Sequence, residues 1–365
     1  MAIFSSLAYN WQHCVNHVGI PLFFWRRPTW SVRQMPDQSG KVVLITGGNS
    51  GTGYATALAL YNAGANVTIA CRSLDRAREA VDDIKKNGER SIWGIRYNSR
   101  APEAENKVGT VDVLELDLAD LGSVQRAAEE YKTRVKKLDL LYLNAGIMGT
   151  PEGQWTKQGY TLQFGTMVLA HQRFATHLMP ILLSPRPEPA RIVTLASFAH
   201  NLAPTGGIDY LSLIRHPDDV PNPDGSLKRG KNEQERWAEY GQSKWGNIAL
   251  ARYLAATYDP KELIAVAVHP GSLSTNLSNH IGAFAWLMSK AQWALSPLHF
   301  SPSDGALNQI WAGTLPFPEA LELDGKYVTP FNHVLEPRGD LVGEEGKKKA
   351  VELWEWCDEQ GKKFQ

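Results

Sequence analysis

The chain has 365 residues, of which 43% are hydrophobic and 21% charged, enough for one large domain with extensions or for one domain plus a small second. Lysine and arginine total 38, as do aspartate and glutamate, so charge gives no reason to expect a nucleic-acid partner. The three cysteines, Cys14, Cys71 and Cys357, are far apart and indicate neither a disulfide framework nor a metal site, and a reducing, cytoplasmic location is the simpler interpretation.

The N-terminal extension, residues 1–38, begins with 25 residues that contain no Lys, Arg, Asp or Glu. An amphipathic helix is predicted there by apolar residues at helical spacing: Ile3, Leu7, Trp11, Cys14 and Val18. The helix either packs on its own domain or makes peripheral contact with a membrane, a lipid surface or a partner. Since the most apolar runs are shorter than the roughly 20 residues of a spanning helix, we expect no transmembrane segment.

Residues 39–365 alternate strand patterns with helix patterns. Strands are predicted at 42–45, 66–70, 111–116, 138–143, 191–195 and 263–268. Helices are predicted at 54–63, 73–88, from about 123, at 163–183, at 240–258 and at 344–362, the last packing on the domain. This order predicts an α/β fold, a single doubly wound parallel sheet of Rossmann type with helices on both faces. Residues 93–109 and 201–239 break the pattern and are predicted to be surface insertions.

A glycine-rich turn joins the first predicted strand to the first predicted helix. Its glycines permit a tight turn and let the backbone approach a pyrophosphate, which would lie at the N-terminus of the helix. We therefore predict that the turn binds a dinucleotide through Gly47, Asn49, Ser50, Gly51, Thr52 and Gly53.

The second predicted strand ends in Ala70-Cys71-Arg72-Ser73, where enzymes that choose NAD usually place an acid. A guanidinium stands there instead, and Arg72 could bind a 2′-phosphate through bidentate bonds, which favours NADP(H) as the cofactor. The alternative interpretation is that Arg72 is a solvated residue entering a loop.

Three residues are candidates for proton transfer. Ser197 follows the fifth predicted strand, and Tyr240 and Lys244 lie on one helix face at i, i+4 spacing. A free tyrosine has a pKa near 10, and a lysine together with the positive ring of a nicotinamide cofactor would lower that pKa toward the operating pH. A serine hydroxyl bonded to the substrate oxygen would hold it and stabilise developing charge.

Taken together and in order, these segments resemble the short-chain dehydrogenase/reductase family from about residue 41 to residue 328. The matching pieces are the turn at 46–53, Asp117 with Leu118, residues 144–146, Ser197, Tyr240 with Lys244, and the segment 269–275. Within the family, the chain looks most like retinol-dehydrogenase-like members and fungal members that modify lipids or natural products.

The resemblance implies a role for each matching residue. Tyr240 would be the general acid/base, Lys244 would bind the nicotinamide ribose and lower the tyrosine pKa, and Ser197 would position the substrate. The remaining predicted cofactor-binding residues are Asp117 and Leu118 beside adenine, Asn144, Ala145 and Gly146 behind the cofactor, and Pro270, Gly271, Leu273 and Thr275 in the segment that holds the nicotinamide carboxamide.

One position departs from the family pattern. The long helix after the fourth strand usually carries a catalytic asparagine, and Met167 occupies that place here. The asparagine helps to hold a water chain that links the lysine to solvent, and a thioether cannot donate a hydrogen bond. We expect another polar group or the backbone to retain the water, with a working but slowed relay. The alternative is a regulator or scaffold that binds the cofactor but lacks turnover.

The segment 276–300 is predicted to cover the substrate, and its aromatic residues, among them Phe284, Trp286 and Trp293, either fill the core or line an apolar pocket. In the second case the substrate is an apolar small molecule, such as a lipid, a retinoid-like compound or a polyketide-type ketone or alcohol. The sequence leaves the oligomeric state open.

Overall fold

The structure is a computed structural model that describes residues 28–88, 108–150, 154–215, 233–271 and 301–364. Several predictions lie outside these ranges: the helix between residues 3 and 18, the segment 276–300, Leu273, Thr275 and most of the insertion 93–109. None of the described helices has both the length and the apolar character that a membrane-spanning helix requires.

A single sheet forms the centre of the described chain. Its strands are β1 (Val42–Thr46), β2 (Asn66–Cys71), β3 (Thr110–Glu115), β4 (Leu140–Leu143), β5 (Ala190–Leu195), β6 (Leu263–Val268), β7 (Tyr327–Thr329) and β8 (His333–Leu335). The spatial order of the eight strands is β3-β2-β1-β4-β5-β6-β7-β8, and all neighbours are parallel except β7 and β8. The order reverses between β1 and β4, which is where ligands bind in sheets of this kind.

Helices cover both faces of the sheet, as predicted. They are α1 (Gly51–Asn62), α2 (Leu74–Gly88), α3 (Leu121–Arg134), α4 (Ala170–Leu182), α5 (Glu233–Thr257), α6 (Pro302–Thr314) and α7 (Gly343–Lys362). Apolar residues of α1, α2 and α6 pack on one face, and those of α3, α4, α5 and α7 on the other. Strands β4 and β6 are buried at every residue, which explains why they are continuous apolar runs.

Two features near the site differ from the sequence expectation. Helix α5 begins at Glu233 and not at Tyr240, because the charged segment between them consists mainly of good helix formers. Helix α4 is preceded by one α-helical turn, Leu162–Phe164, and by a π-helical segment, Gly165–Leu169, which the predicted continuous helix did not include. Short 3₁₀ helices also occur at Val32–Gln34, Phe198–Leu202, Tyr210–Leu213, Glu319–Leu323 and Gly339–Leu341.

The C-terminal helix α7 packs on α5 and α4. Its buried face includes Ala350, Leu353 and Cys357, while Val351 points away from the core. Residues before position 39 also join the packing, since Val32 and Met35 are buried against the face that carries α1 and α6.

The substitution Leu353→Ala should lower the free energy of unfolding by about 2–5 kcal/mol, because it removes a side chain that is 0% exposed and leaves a cavity. Equilibrium urea unfolding followed by tryptophan fluorescence measures the change. The matched control is Val351→Ala, on the solvent side of the same helix at 39% exposure, and should change stability by no more than about 0.5 kcal/mol. Equal losses in the two variants would contradict the packing of α7.

Candidate active site

The turn between β1 and α1 has the geometry of a phosphate cradle. Gly47 and Gly51 adopt φ values of +68° and +58°, a backbone conformation that strongly favours glycine. A Cβ at Gly53 would lie 2.4 Å from the carbonyl oxygen of Gly47, so only glycine lets the helix approach the turn this closely. Within the described chain, the side chain of Ser50 makes no capping hydrogen bond to α1. The first N–H groups of the helix are therefore available to an anion.

The residues predicted to surround adenine and its ribose lie at the same edge of the sheet. The N–H of Gly47 donates to the carbonyl of Ala70 at 2.8 Å, which ties the turn to the end of β2. Arg72 follows immediately, is exposed and forms no ion pair with the described residues. Asp117 and Leu118, half-buried, follow β3, and the Asp117 carboxylate accepts the N–H of Ala119 at 2.9 Å. The structure thus places the turn, Arg72 and Asp117 along one edge.

The hydroxyl of Thr46 joins the cradle to the end of β4. Its oxygen accepts the N–H groups of Asn144 and Ala145, each at 3.0 Å, and lies 3.0 Å from Nε2 of His171. The other imidazole nitrogen, Nδ1, donates to the carbonyl of Met167 at 3.0 Å, so Nε2 is the acceptor of the Thr46 hydroxyl proton. Burial lowers the pKa of His171 to about 3, which keeps the ring neutral for this role.

The side chain of Asn144 extends this network to two helices. Its Nδ2 donates to the carbonyl of Thr46 at 2.9 Å, and its Oδ1 accepts the hydroxyl of Thr52 at 3.0 Å. The amide of Gln309, from α6, donates to the same Oδ1 at 3.3 Å. The side chain of Asn144 thus connects β1, β4, α1 and α6.

Ser197, Tyr240 and Lys244 lie together at the carboxyl ends of β5 and β6. Tyr240 and Lys244 share one face of α5, with the ammonium nitrogen 5.6 Å from the centre of the tyrosine ring. Lys244 Nζ donates to the carbonyl of Leu195 at 2.8 Å, and the hydroxyl of Ser197, two residues later, lies near enough to the Tyr240 phenol to lower its pKa. Gly241 lets α5 approach the segment after Ser197, because a Cβ there would lie 2.5 Å from the backbone nitrogen of Ala203.

Burial sets the ionisation of this group. It raises the pKa of Tyr240 to about 12, an effect that the hydrogen bond with Ser197 partly offsets. It lowers the pKa of Lys244 to about 7, because the charged ammonium belongs to a residue only 3% exposed, with no carboxylate beside it among the described residues. The protein's own groups therefore hold Tyr240 as a neutral phenol at neutral pH and leave Lys244 able to gain or lose a proton there.

Met167 lies in the π-helical segment and is fully buried. A Cβ at Gly146 would lie 3.4 Å from the Met167 sulfur and 3.6 Å from Lys244 Nζ, so thioether and ammonium flank the same glycine. The Met167 carbonyl accepts a hydrogen bond from the imidazole of His171. The retention of a water by the backbone or another polar group stays a prediction.

Two site residues were not found from the sequence. His171 carries a signal that could have been used, since it follows Met167 at i+4 on the same helix. Gln309 carries none, because only the packing of α6 against α1 brings it to Asn144. Pro270 and Gly271 follow β6, half-buried, with Gly271 at φ +93°.

We predict that Thr46→Val lowers the free energy of unfolding by about 2–4 kcal/mol, because it leaves the N–H groups of Asn144 and Ala145 without an acceptor. Thr46→Ser keeps the hydroxyl and loses one methyl group, so it should lose only about 1 kcal/mol. Urea unfolding of both variants separates the two effects. A Thr46→Ser variant as unstable as Thr46→Val would contradict the hydrogen-bonding role.

A family model described as short chain dehydrogenase matches residues 41–110 and 96–212. A short-chain dehydrogenase/reductase of Armillaria gallica is 37% identical over 93% of this chain and 96% of its own length. A second one, from Emericella nidulans, is 30% identical over 94% of this chain and 99% of its own length.

Solved structures share the fold. One of an uncharacterized protein from Mycobacterium Paratuberculosis is 27% identical, covers 91% of this chain and 97% of that chain, and has a TM-score of 0.58. The Pseudomonas aeruginosa RhlG/NADP active-site complex, 19% identical with a TM-score of 0.54, covers 84% of this chain and 100% of that chain. With relatives matching over nearly its whole length, this chain belongs to the short-chain dehydrogenase/reductase family of oxidoreductases.

Proposed function

We propose that this protein is an NADP(H)-dependent oxidoreductase that interconverts a carbonyl and an alcohol on an apolar small molecule. The observation that carries the proposal is the grouping of half-buried Ser197 with buried Tyr240 and Lys244 at the edge of the sheet where the phosphate cradle also opens. Its chemistry suits proton transfer to an oxygen atom, which is what reduction of a carbonyl by hydride requires in addition to the hydride itself.

The cofactor proposal rests on the cradle and on Arg72. The turn has no room for a Cβ at Gly53 and presents uncapped helix N–H groups, features that fit a pyrophosphate. At the end of β2 stands the exposed guanidinium of Arg72 in place of an acid, which fits a 2′-phosphate better than ribose hydroxyls alone. The structure from Pseudomonas aeruginosa, which shares the fold, is a complex with NADP. When bound, the nicotinamide supplies or accepts the hydride.

Each residue of the catalytic group has a defined task in the reducing direction. Tyr240, neutral at physiological pH, donates its phenolic proton to the oxygen that gains charge as the carbonyl is reduced. Ser197 bonds to the same oxygen and fixes its position. Lys244, with a pKa of about 7, holds an exchangeable proton beside the phenol, and its charged form favours the phenolate that remains.

The substrate class and the cellular setting rest on the sequence. The aromatic segment 276–300 suggests an apolar compound, of the lipid, retinoid-like or secondary-metabolite type. The cysteine usage favours a reducing, cytoplasmic location, and the charge-free residues 1–25 would either pack on the domain or contact a membrane, a lipid surface or a partner.

A second function is favoured by Met167. Its buried sulfur lies beside the same glycine as the Lys244 ammonium, where the family's asparagine would organise water. Without proton exchange with solvent the chain would bind NADP(H) as a regulator or scaffold with little turnover. The chain retains Ser197, Tyr240 and Lys244 together, which argues against a regulator or scaffold, since cofactor binding alone does not require this group.

Cofactor choice is tested by Arg72→Ala. We expect this variant to bind NADPH about 10–100-fold more weakly, because one or two charge-assisted hydrogen bonds are lost. Its affinity for NADH should not change. Fluorescence titration with both nucleotides measures the affinities. Arg78→Ala, which removes an exposed arginine paired with Asp75 on α2, is the control and should change neither affinity. Equal weakening for NADPH and NADH would contradict a 2′-phosphate contact.

Turnover is tested by Tyr240→Phe in a screen of apolar aldehydes and ketones, including decanal and 2-decanone, with NADPH. The variant should lose at least about 10²-fold in kcat, because it lacks the proton donor, and should bind NADPH as wild type does. Tight NADPH binding without turnover in wild type would favour the regulator, and Met167→Asn should then gain activity. Failure of wild type to bind either nucleotide would contradict both functions.

A further inference from the structure

The backbone that carries Ser197 is attached to a distant part of the chain. The imidazole Nδ1 of His200 donates to the carbonyl of Ser197 at 2.8 Å. Its Nε2 accepts the backbone N–H of Arg338 at 3.1 Å, and the ring packs edge-on against Tyr327 of β7, with ring centres 5.2 Å apart. His200 therefore bridges the catalytic serine and the segment that leads into α7.

The side chain of Arg338 makes a second connection between its own segment and the residues after Ser197. Its guanidinium donates to the carbonyl of Ala203 and, at 2.8 Å, to that of Pro204. It also forms a two-point ion pair with Asp340, in which Nε donates at 2.9 Å. With the side chains of Arg338 and Asp340 only 11% and 18% exposed, these bonds are shielded from water.

Asp340 connects Arg338 to α5, the helix that carries Tyr240 and Lys244. Its Oδ1 accepts the indole N–H of Trp245 at 3.1 Å, and Trp245 is the residue directly after Lys244. Burial alone would raise the pKa of Asp340. Hydrogen bonds and charge from Arg338 outweigh this effect and hold the pKa below its usual value, so the carboxylate stays ionised. The chain of contacts thus runs from Ser197 through Arg338 to α5.

We propose that Arg338 is a positioning residue that holds the Ser197 segment in register with α5, so that the serine hydroxyl and the Tyr240 phenol meet on one substrate oxygen. The proposal rests on the proposed function, because it assigns to Arg338 the alignment of that catalytic group. Ser197 caps the five-residue 3₁₀ helix Phe198–Leu202, whose C-terminal end leads into Ala203 and Pro204. The Arg338 guanidinium holds the carbonyls of these two residues, and through Asp340 it is joined to Trp245 of α5.

Arg338 acts through other residues, so its removal should affect the chemical step and leave the cradle intact. None of the contacts of its guanidinium with described residues involves the turn between β1 and α1. Because a misplacement of about 1 Å can cost about 10²-fold in rate, we expect Arg338→Met to lower kcat by about 10–100-fold. The Kd for NADPH should stay within about twofold of wild type.

Arg186→Met is the matched control. Arg186 is a buried arginine at the amino edge of the sheet, and its guanidinium likewise donates to main-chain carbonyls, those of Leu138, Ile181 and Ser184. Its side chain is 6% exposed and pairs with Asp139, so its loss should destabilise the protein to a similar degree. It lies away from Ser197 and α5, and kcat per NADPH-binding site should remain that of wild type.

The experiment compares full-length wild type, Arg338→Met and Arg186→Met, each saturated with NADPH. Hydrogen exchange followed by mass spectrometry reports the backbone of residues 198–204, and kcat is measured with the apolar aldehyde or ketone that wild type reduces fastest. Only Arg338→Met should exchange faster in 198–204 and lose kcat, with one NADPH bound per chain in all three proteins.

Unchanged exchange in 198–204, or an equal loss of kcat in Arg186→Met, would overturn the role of Arg338. If Arg338→Met lost NADPH-binding sites in proportion to its loss of activity, the role of Arg338 would also be overturned, since that result indicates unfolding. Wild type without turnover would instead refute the proposed function and with it the effect of Arg338 on the chemical step. The exchange result distinguishes the two failures, because the clamp can be detected without turnover.

Discussion

The hydroxyl of Thr46 is the contact on which the rest of the site depends. The ladder between β1 and β4 ends at the pair Ile45 and Tyr142, while β1 continues to pair with β2 through Thr46. Beyond that point the two strands separate and open the crevice, and their backbone N–H groups would lose their partners. The Thr46 side chain takes the place of the missing ladder hydrogen bonds, because its hydroxyl accepts two backbone N–H groups and donates to His171. The cradle can therefore open toward a ligand without leaving buried polar groups unpaired.

Burial has opposite effects on the two halves of the acid/base pair. A phenol becomes harder to ionise when water is excluded, whereas an ammonium becomes easier to neutralise, so Tyr240 and Lys244 both move toward their uncharged forms. In the proposed reaction, the neutral phenol is a proton donor that is ready before hydride transfer. The charge of the proposed cofactor would matter for this pair, because the protein itself supplies no carboxylate next to Lys244 among the described residues. The buried thioether of Met167 adds to the same low-dielectric surroundings.

The C-terminal part of the chain completes the side of the site that the sheet leaves open. Trp356 of α7 packs edge-on against Tyr160 and Phe164, which precede the π-helical segment, and at a tilt against Tyr210 of the segment after Ser197. Together with the Arg338 clamp, these contacts connect the segment after Ser197, the π-helical segment and α5 through residues far away in sequence. The sheet positions the ends of the strands, and the C-terminal residues position the segments that come after those strands.

The sequence by itself determined the α/β class and every predicted strand, and it predicted the cradle and the acid/base group, because each depends on local pattern: continuous apolar runs, glycines in a tight turn, and an i, i+4 pair on a helix. It did not reveal β7 and β8, whose three residues each are too few to establish a period. It placed the start of α5 at Tyr240 and missed the π-helical segment before α4. Only the tertiary structure decided that Gln309 reaches Asn144 and that Arg338 and Asp340 connect the segment after Ser197 to α5. These contacts join segments far apart along the chain, so they leave no repeating signal in the sequence.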